Sequence, residues 1–391
     1  MPQEPAERLE YICFNHVHDN TLRRRLEDGL ANDVECDICG SVPVCGIEGI
    51  YEIIHSAIGA KYKPAQEWND DWGEIERGEA TTVYDIAELL DEIWLSDAVD
   101  RSVYNAVECS FGDDTMWVTT FETDLRPAER DRLGWSDFCD AIKHRSRFML
   151  LDEQAWVSHM YGVLPPSETL RRVAGLIGRH GLFRIVDRST DIWRGRVDAD
   201  PHPDWGFSDL ASAPPEFARQ SRMSAAGISM FYGAFELDTV AAELADDNGA
   251  WLTSGRFRPV RPLVLVDLTE VPDYPSPFAE NAAQDDDELT FLSIFTREVS
   301  KPVSRPDLVH VDYTPTQAAT EYLRFAEGGL ATGRPVDGIV YRSSRRDTEC
   351  VALFADHSQC VASQPKRSAA AASGPLLHWA GKQTKVRRHR T

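Results

Sequence analysis

Between Arg222 and Glu243 the chain reads RMSAAGISMFYGAFELDTVAAE, placing one guanidinium, one phenol and one carboxylate within 22 residues. The guanidinium can meet an anionic ligand, the Tyr232 ring can offer a face for stacking, and the Glu243 carboxylate can point into the same cleft. The same types also describe a surface arginine, a core tyrosine and a solvated glutamate, and the triple alone does not choose. A second constellation lies near the start. Cys13-Phe14-Asn15-His16 is followed, 20 residues after the histidine, by Cys36-Asp37-Ile38-Cys39. Two ligand pairs, each with two intervening residues, have the spacing of a structural zinc ribbon, in which each pair sits on a tight knuckle and four ligands close a tetrahedron. Gly40 suits such a knuckle, and Cys45 and His18 are spare donors. Four ligands leave no open coordination position, so the expected role of Zn2+ is in folding. The alternative is a group of buried thiols with an exposed histidine.

The elements that must position these residues follow from local pattern. Ser224-Ala225-Ala226-Gly227 allows a tight turn, Ile228 to Tyr232 has the character of a buried strand, and Gly233 ends it. Glu236 to Ala245 consists of helix formers, with Asp238 or Thr239 as the expected N-cap, which places Glu243 one to two turns into the helix. Upstream, Asp191 to Val197 reads as a strand with Arg194 and Arg196 on one face, because residues two apart point the same way. Further on, Leu263 to Leu268 is a strand, Phe291 to Phe295 starts a helix and Gln317 to Ala326 is another. Gly338 to Ser344 and Cys350 to Phe354 are strands joined by a polar turn. The C-terminal half is therefore mixed α and β.

The N-terminal half has a different texture. Asn20 to Leu30 reads as a short helix between the two ligand pairs. Ile47, Ile50, Ile53, Ile54 and Ile58 recur at helical spacing, as do Val83, Ile86, Leu89, Leu90 and Ile93. A loop rich in tryptophan and acid, Glu67 to Glu76, separates them. Helices are also expected at 127–133, 135–143 and 167–177.

At 391 residues the chain is long enough for two or three domains, and its 42% hydrophobic content argues for folded globular structure. No run of about 18 apolar residues is present, which argues against a membrane span. MPQEPAERLEY lacks a basic region followed by an apolar one, so a cytoplasmic location is expected. The net charge of -23 repels nucleic acid over most of the surface. The exception is the stretch from Gln364 onward, with Lys366, Arg367, Lys382, Lys385, Arg387, Arg388, Arg390 and no acid, which reads as a disordered basic extension.

Taken together, Trp193-Arg194-Gly195-Arg196, Arg222-Met223-Ser224, Phe231-Tyr232-Gly233-Ala234, Thr239 to Glu243, Asp312 to Gln317 with Glu321-Tyr322, and Asp337 to Ser343 resemble a RES domain. The head resembles the HEPN/RES N-terminal domain, with His16 where a second cysteine is expected. With the spacing, periodicity and composition above, the chain is expected to be α+β: a zinc-ribbon-like head (1–46), an all-helical domain (47–178) that the resemblance makes a HEPN/RES N-terminal domain, a mixed α/β domain (179–363) that it makes a RES domain similar to the ADP-ribosyltransferase fold, and the basic tail (364–391). The resemblance implies a toxin that destroys NAD+ as substrate, by hydrolysis or phosphorolysis, and an Xre-type antitoxin as partner. Carried over, Arg222, Tyr232, Glu243 and Ser343 are catalytic, while Arg194, Arg196 and Ser344 bind NAD+. No Gly-rich dinucleotide fingerprint follows a strand, so NAD+ is not expected as a hydride carrier. An ADP-ribosyltransferase acting on a macromolecule would use the same cleft, and a non-catalytic interaction protein is the alternative from another class.

Overall fold

Helices form where apolar residues recur every three or four positions, and strands form where they run together between glycines and prolines. In the computed structural model the described residues are 9–67, 82–112, 115–120, 125–148, 164–199, 205–244, 251–301, 306–325, 335–365 and 374–387. The chain divides into two compact units, Met1–Arg126 with Asp273–Glu288, and Pro127–Pro272 with Leu289–Thr391. Among the described residues no helix is long and apolar enough to cross a membrane.

In the first unit β1 (Tyr11–Cys13) pairs antiparallel with β2 (Val44–Gly46), and α1 (Asn20–Leu26) is capped by Asp19, whose carboxylate accepts from the Leu22 N–H at 2.7 Å. The isoleucine stripe forms α2 (Ile47–Gly59) and buries Ile47, Ile50, Ile53, Ile54 and Ile58. After β3 (Tyr62–Pro64) come α3 (Ile86–Glu92), opened by a reciprocal Asp85–Glu88 capping box, then α4 (Leu95–Ala98) and α5 (Arg101–Ser110). β3 pairs with β4 (Trp117–Thr119), so the all-helical expectation for 47–178 is corrected here by a two-stranded ladder. Three-residue strands carry too little alternation to stand out in a sequence otherwise helical in period. Most of the tryptophan-rich acidic loop, residues 68–76, lies outside the described residues.

The second unit opens with α6 (Pro127–His144) and α7 (Pro166–Arg179). The sequence places both in the N-terminal domain, whereas the structure groups them here: Trp135, Phe138, Leu170, Val173 and Ile177 share one core with Phe291, Phe295 and Leu323. An amphipathic helix announces which face it buries and not what it buries against. Then follow β5 (Phe183–Val186), β6 (Ile192–Asp198), α8 (Phe207–Leu210), β7 (Phe231–Ala234), α9 (Leu237–Glu243), β8 (Trp251–Pro259) and β9 (Leu263–Asp267). The remainder is α10 (Ala282–Ser300, of which Leu289 onward belongs to this unit), α11 (Val309–Asp312), α12 (Thr314–Phe325), β10 (Gly338–Arg342), β11 (Glu349–Leu353), β12 (Cys360–Val361) and β13 (Leu377–Arg387).

These strands form one mixed nine-stranded sheet of order β12-β13-β8-β6-β7-β11-β10-β9-β5. Only β12 with β13 and β10 with β9 run parallel. Two expectations change in detail. The helix expected from Phe291 begins at Ala282, and α9 starts after Glu236 with no side-chain cap, so neither Asp238 nor Thr239 caps it. A larger correction concerns the tail: residues 377–387 are β13, paired along β8, not a disordered extension. Their order comes from a distant partner, with Trp379 meeting Phe257 at 5.1 Å between ring centroids, which a compositional argument does not see.

Two glycines fix how the site elements meet. A Cβ on Gly233 would lie 2.7 Å from the Trp193 carbonyl oxygen, and one on Gly195 would lie 2.7 Å from Val240 and 2.8 Å from Leu252. The missing side chain on Gly195 is what lets α9, through Val240, rest directly on β6. Replacing Gly195 by valine is expected to destabilise the second unit by about 1–3 kcal/mol through overpacking. Denaturant titration of G195V checks this, and an unchanged midpoint would contradict the packing.

Candidate functional site

Strands β6 and β7 pair at Trp193 opposite Ala234, and Arg194 stands beside that junction. Its Nη1 donates to the Tyr232 carbonyl at 3.2 Å, its guanidinium lies 5.1 Å from the Phe231 ring centroid, and its Nε is sealed from solvent with no hydrogen-bond partner. Burial lowers its pKa to about 10, with Arg196 adding to the effect, so it stays cationic at neutral pH. Arg222 is held in a similar way: Nη1 donates to the Val299 carbonyl at 3.0 Å, and the guanidinium lies 5.8 and 6.0 Å from the rings of Tyr313 and Tyr341. The turn that carries it is clamped from α12, where Gln317 Nε2 donates to the carbonyls of Ser221 at 2.8 Å and Ser224 at 3.1 Å.

Several other arginines of this unit have carboxylate partners. Arg184 bridges Asp267 and Glu349, Arg256 and Arg258 share Asp191, and Arg261 makes a two-pronged pair with Asp337. Among the described residues neither Arg194 nor Arg222 has a carboxylate partner. A sunken guanidinium supported only by carbonyls and ring faces carries uncompensated charge, and an anionic ligand would relieve it.

Glu243 ends α9 and Ser343 follows β10, 100 residues apart in sequence, and the Ser343 hydroxyl donates to Glu243 Oε1. Ser343 Oγ itself accepts from the backbone N–H of Arg345 at 3.1 Å and Arg346 at 3.2 Å. Ser343 thus donates once and accepts twice. Cys350 and Tyr341, which face each other across β10 and β11, lie beside this pair. Burial pushes the Cys350 thiol up to about 12, with the Glu243 charge adding, and burial lifts the Tyr341 phenol well above its ordinary value. The Tyr232 hydroxyl is 2.9 Å from Ser224 Oγ, and burial raises its pKa as well.

A cavity of about 1110 Å³ opens along β6 and the loop before β7, its wall including Arg194, Arg196, Arg219, Ser224, Tyr232 and Leu244. Glu243, Arg222 and Ser343 are not part of that wall, although Leu244 is the residue next to Glu243. The structure therefore makes two groupings, Arg194 with Arg196 and Tyr232 at the cavity and Glu243 with Ser343 at the end of α9. Arg222 stands among the tyrosines, and Tyr341 and Cys350 feel its charge as well as that of Glu243.

In the first unit the ligand atoms of Cys13, His16, Cys36 and Cys39 all lie within 4.8 Å of one another, and the sulfurs of Cys13 and Cys39 are 3.4 Å apart. A tetrahedron with bonds of about 2.3 Å has edges of about 3.8 Å, so the set fits one metal ion of the zinc class. Gly40, at φ 69°, donates to the Cys36 carbonyl at 2.8 Å and closes the second knuckle. Nε2 of His16 is buried with no hydrogen-bond partner among the described residues, while Nδ1 is 2.6 Å from Asp100 Oδ2. The spare donors differ: Cys45 bonds the Ile12 carbonyl and His18 bonds Asp100. Hydrogen bonding from Ser41, together with the neighbouring His16 imidazole, pulls the Cys39 thiol down to about 6, whereas burial pushes Cys13 up to about 11.

A sequence model of the family described as RES domain matches residues 192–376, from β6 to the residue before β13. The chain carries a RES domain. A second model, HEPN/RES N-terminal domain 1, matches residues 30–156, which takes in Cys36 and Cys39 and begins after Cys13 and His16. Among solved structures, the M. tuberculosis MbcT–MbcA toxin–antitoxin complex is similar at 12% identity and a TM-score of 0.28, covering 55% of this chain and 92% of that one. No curated protein matches the chain. Arg194, Arg196, Arg222, Tyr232, Glu243, Ser343 and Ser344 all fall inside the RES match. Ser344 is half-buried beside Ser343.

Sequence reasoning quoted Gln317 and Tyr341 inside the RES-like stretches without giving them a role, and did not connect Cys350 with the candidate site. Tyr341 was open to inference, since it sits two residues before Ser343 and so on the same strand face. Cys350 reaches the site only through the register of β11, and Gln317 through packing of α12. In chelator-treated protein, iodoacetamide at pH 7 is expected to label Cys39 well ahead of Cys350, with the Cys39 rate rising through a midpoint near pH 6. Peptide mass spectrometry reads this, and equal labelling of the two thiols would contradict the environments described.

Proposed function

We propose that the RES domain cleaves the nicotinamide–ribose bond of NAD+, as a glycohydrolase or phosphorylase, and that the protein acts as a toxin held in check by an antitoxin. The observation that carries this reading is that Arg194 and Arg222, two guanidiniums held by carbonyls and ring faces, have no carboxylate partner among the described residues of a chain of net charge -23. An acidic protein repels a dinucleotide unless local cations receive its pyrophosphate, and planar guanidiniums bind its oxygens two at a time. Arg194 and Arg196 take the pyrophosphate along the cavity, Tyr232 stacks the nicotinamide, and Arg222 adds positive potential.

In the reaction the bond between ribose C1′ and the nicotinamide nitrogen breaks, and its electron pair leaves on the nicotinamide. Positive charge grows on C1′ and the ring oxygen, where the Glu243 carboxylate stabilises it or holds the 2′-hydroxyl. Water or a phosphate oxygen then bonds to C1′, and water's proton passes to solvent. Ser343, already occupied by one donated and two accepted hydrogen bonds, keeps Oε1 of Glu243 fixed and so orients the carboxylate toward its task. This reading takes the mixed sheet as related to the ADP-ribosyltransferase fold, with an Xre-type antitoxin covering the cleft. It assigns Zn2+ to Cys13, His16, Cys36 and Cys39, where the ion would close the knuckles and add folding energy to the head.

Purified protein is expected to consume NAD+ and release nicotinamide, and Glu243→Gln and Arg194→Met to lower the rate by about 10²- to 10³-fold. A phosphate requirement would mark phosphorolysis. Folded wild type that leaves NAD+ intact, or a Glu243→Gln enzyme of full activity, would overturn the reading, and ADP-ribose found on a macromolecule would redirect it to transfer. Elemental analysis is expected to find one zinc per chain, absent from C36S/C39S. Metal-free wild type with undiminished thermal stability would remove the folding role.

A further inference from the structure

Asp100 stands at the N-cap of α5, where an aspartate usually accepts the N–H groups of the first helical turn. It makes no such bond. Asp19 and Asp85, at the same position of α1 and α3, both cap their helices. The Asp100 carboxylate instead binds two imidazoles, Oδ2 lying 2.6 Å from Nδ1 of His16 and Oδ1 lying 2.8 Å from Nε2 of His18. A carboxylate on one ring nitrogen holds the proton there and leaves the lone pair on the other. The other nitrogen is His16 Nε2, which is buried without a partner among the sulfurs of Cys13, Cys36 and Cys39. The backbone follows the same path. Asp100 N–H donates to the His16 carbonyl at 3.0 Å, His18 N–H donates to the Ala98 carbonyl at 2.6 Å, and Val17 bridges Val99.

We propose that Asp100 is the positioning residue of the cysteine–histidine cluster: it fixes His16 as an Nε2 donor for a zinc-class divalent cation and couples metal binding to the start of α5. The inference rests on the cluster being a metal site. His18 acts from the solvent side, holding the second carboxylate oxygen so that the first stays on His16. A helix cap is given up for this arrangement, which a role confined to starting α5 would not require.

The test uses the full chain, stripped by chelator and titrated with Zn2+ against a chromophoric competitor, for wild type, Asp100→Asn, Asp100→Ala and His18→Ala. Asp100→Ala is expected to weaken zinc binding by about 10- to 100-fold. Asp100→Asn, whose amide oxygen still accepts from Nδ1–H, recovers part of that loss, and His18→Ala loses less than Asp100→Ala. Hydrogen exchange gives a second readout: in wild type, zinc is expected to slow exchange of the amides of residues 98–104, and in Asp100→Ala this protection is lost even with zinc at saturation. Wild type that takes up no zinc overturns the metal reading itself. Wild type that binds zinc while Asp100→Ala binds as tightly, with the same exchange pattern, overturns the role of Asp100 alone. Should Asp100→Ala fail to fold, Asp100→Asn carries the test, and wild-type affinity there overturns it.

Discussion

The close approach of β6 and β7 is the constraint on which the second unit depends. The strands pair at Trp193 opposite Ala234, and the Trp193 carbonyl comes so near Gly233 that a Cβ there would sit 2.7 Å from it. Gly195, on the other strand, makes room for Val240 and thereby seats α9 on the sheet. Between and beside these glycines stand the residues of chemical interest: Arg194 and Arg196 on β6, Tyr232 on β7, Glu243 at the end of α9. The glycines set backbone separation, and the residues they flank inherit their positions from it. Because strand and helix both rest on this contact, Arg194, Arg196, Tyr232 and Glu243 are held by regular elements rather than by loops, the condition for a preorganised constellation.

Charge is distributed along the same lines. A chain with 64 acidic and 41 basic residues has carboxylates to spare, and most arginines near the sheet find one. Arg194 and Arg222 are held instead by a carbonyl each and by aromatic faces. Such supports fix orientation without cancelling charge. In a low-dielectric setting an uncancelled cation raises the energy of the empty site and lowers that of a site filled by an anion. In the proposed function, the arginines that lack a carboxylate partner among the described residues therefore bear on ligand class more than the number of arginines does.

Much of this was legible in the sequence because it is local. The isoleucine stripe of α2, the strand of Arg194 and Arg196 and the strand pair ending in Ser343 and Cys350 all announce themselves by period. The two ligand pairs announce the cluster by spacing, and the structure brings all four together. What was not legible depends on partners far away in the chain. α6 and α7 gave their apolar faces but not the core they enter, and β13 looked disordered because its order is supplied by β8 and by the fit of Trp379 over Gly255. The same limit applied to Ser343. The resemblance marks it as a site residue, and only the folded chain shows its hydroxyl donating to Glu243 and accepting from two backbone amides.

That saturation gives the late serine a role distinct from the arginines. A hydroxyl with one proton donated and two lone pairs filled has nothing left to offer a ribose without breaking a bond it already has. What it does offer is restraint on a carboxylate at a helix end, a position that otherwise leaves a glutamate several rotamers. Cys350 completes the surroundings in a compatible way. With its thiol pushed up to about 12 it stays neutral at physiological pH, so it packs beside Glu243 without placing a second negative charge there. An aspartate at position 350 would put two carboxylates side by side and oppose the ionisation of both. The serine fixes the carboxylate and the cysteine adds no second negative charge beside it, so in the proposed reaction one oriented carboxylate is available as C1′ becomes positive.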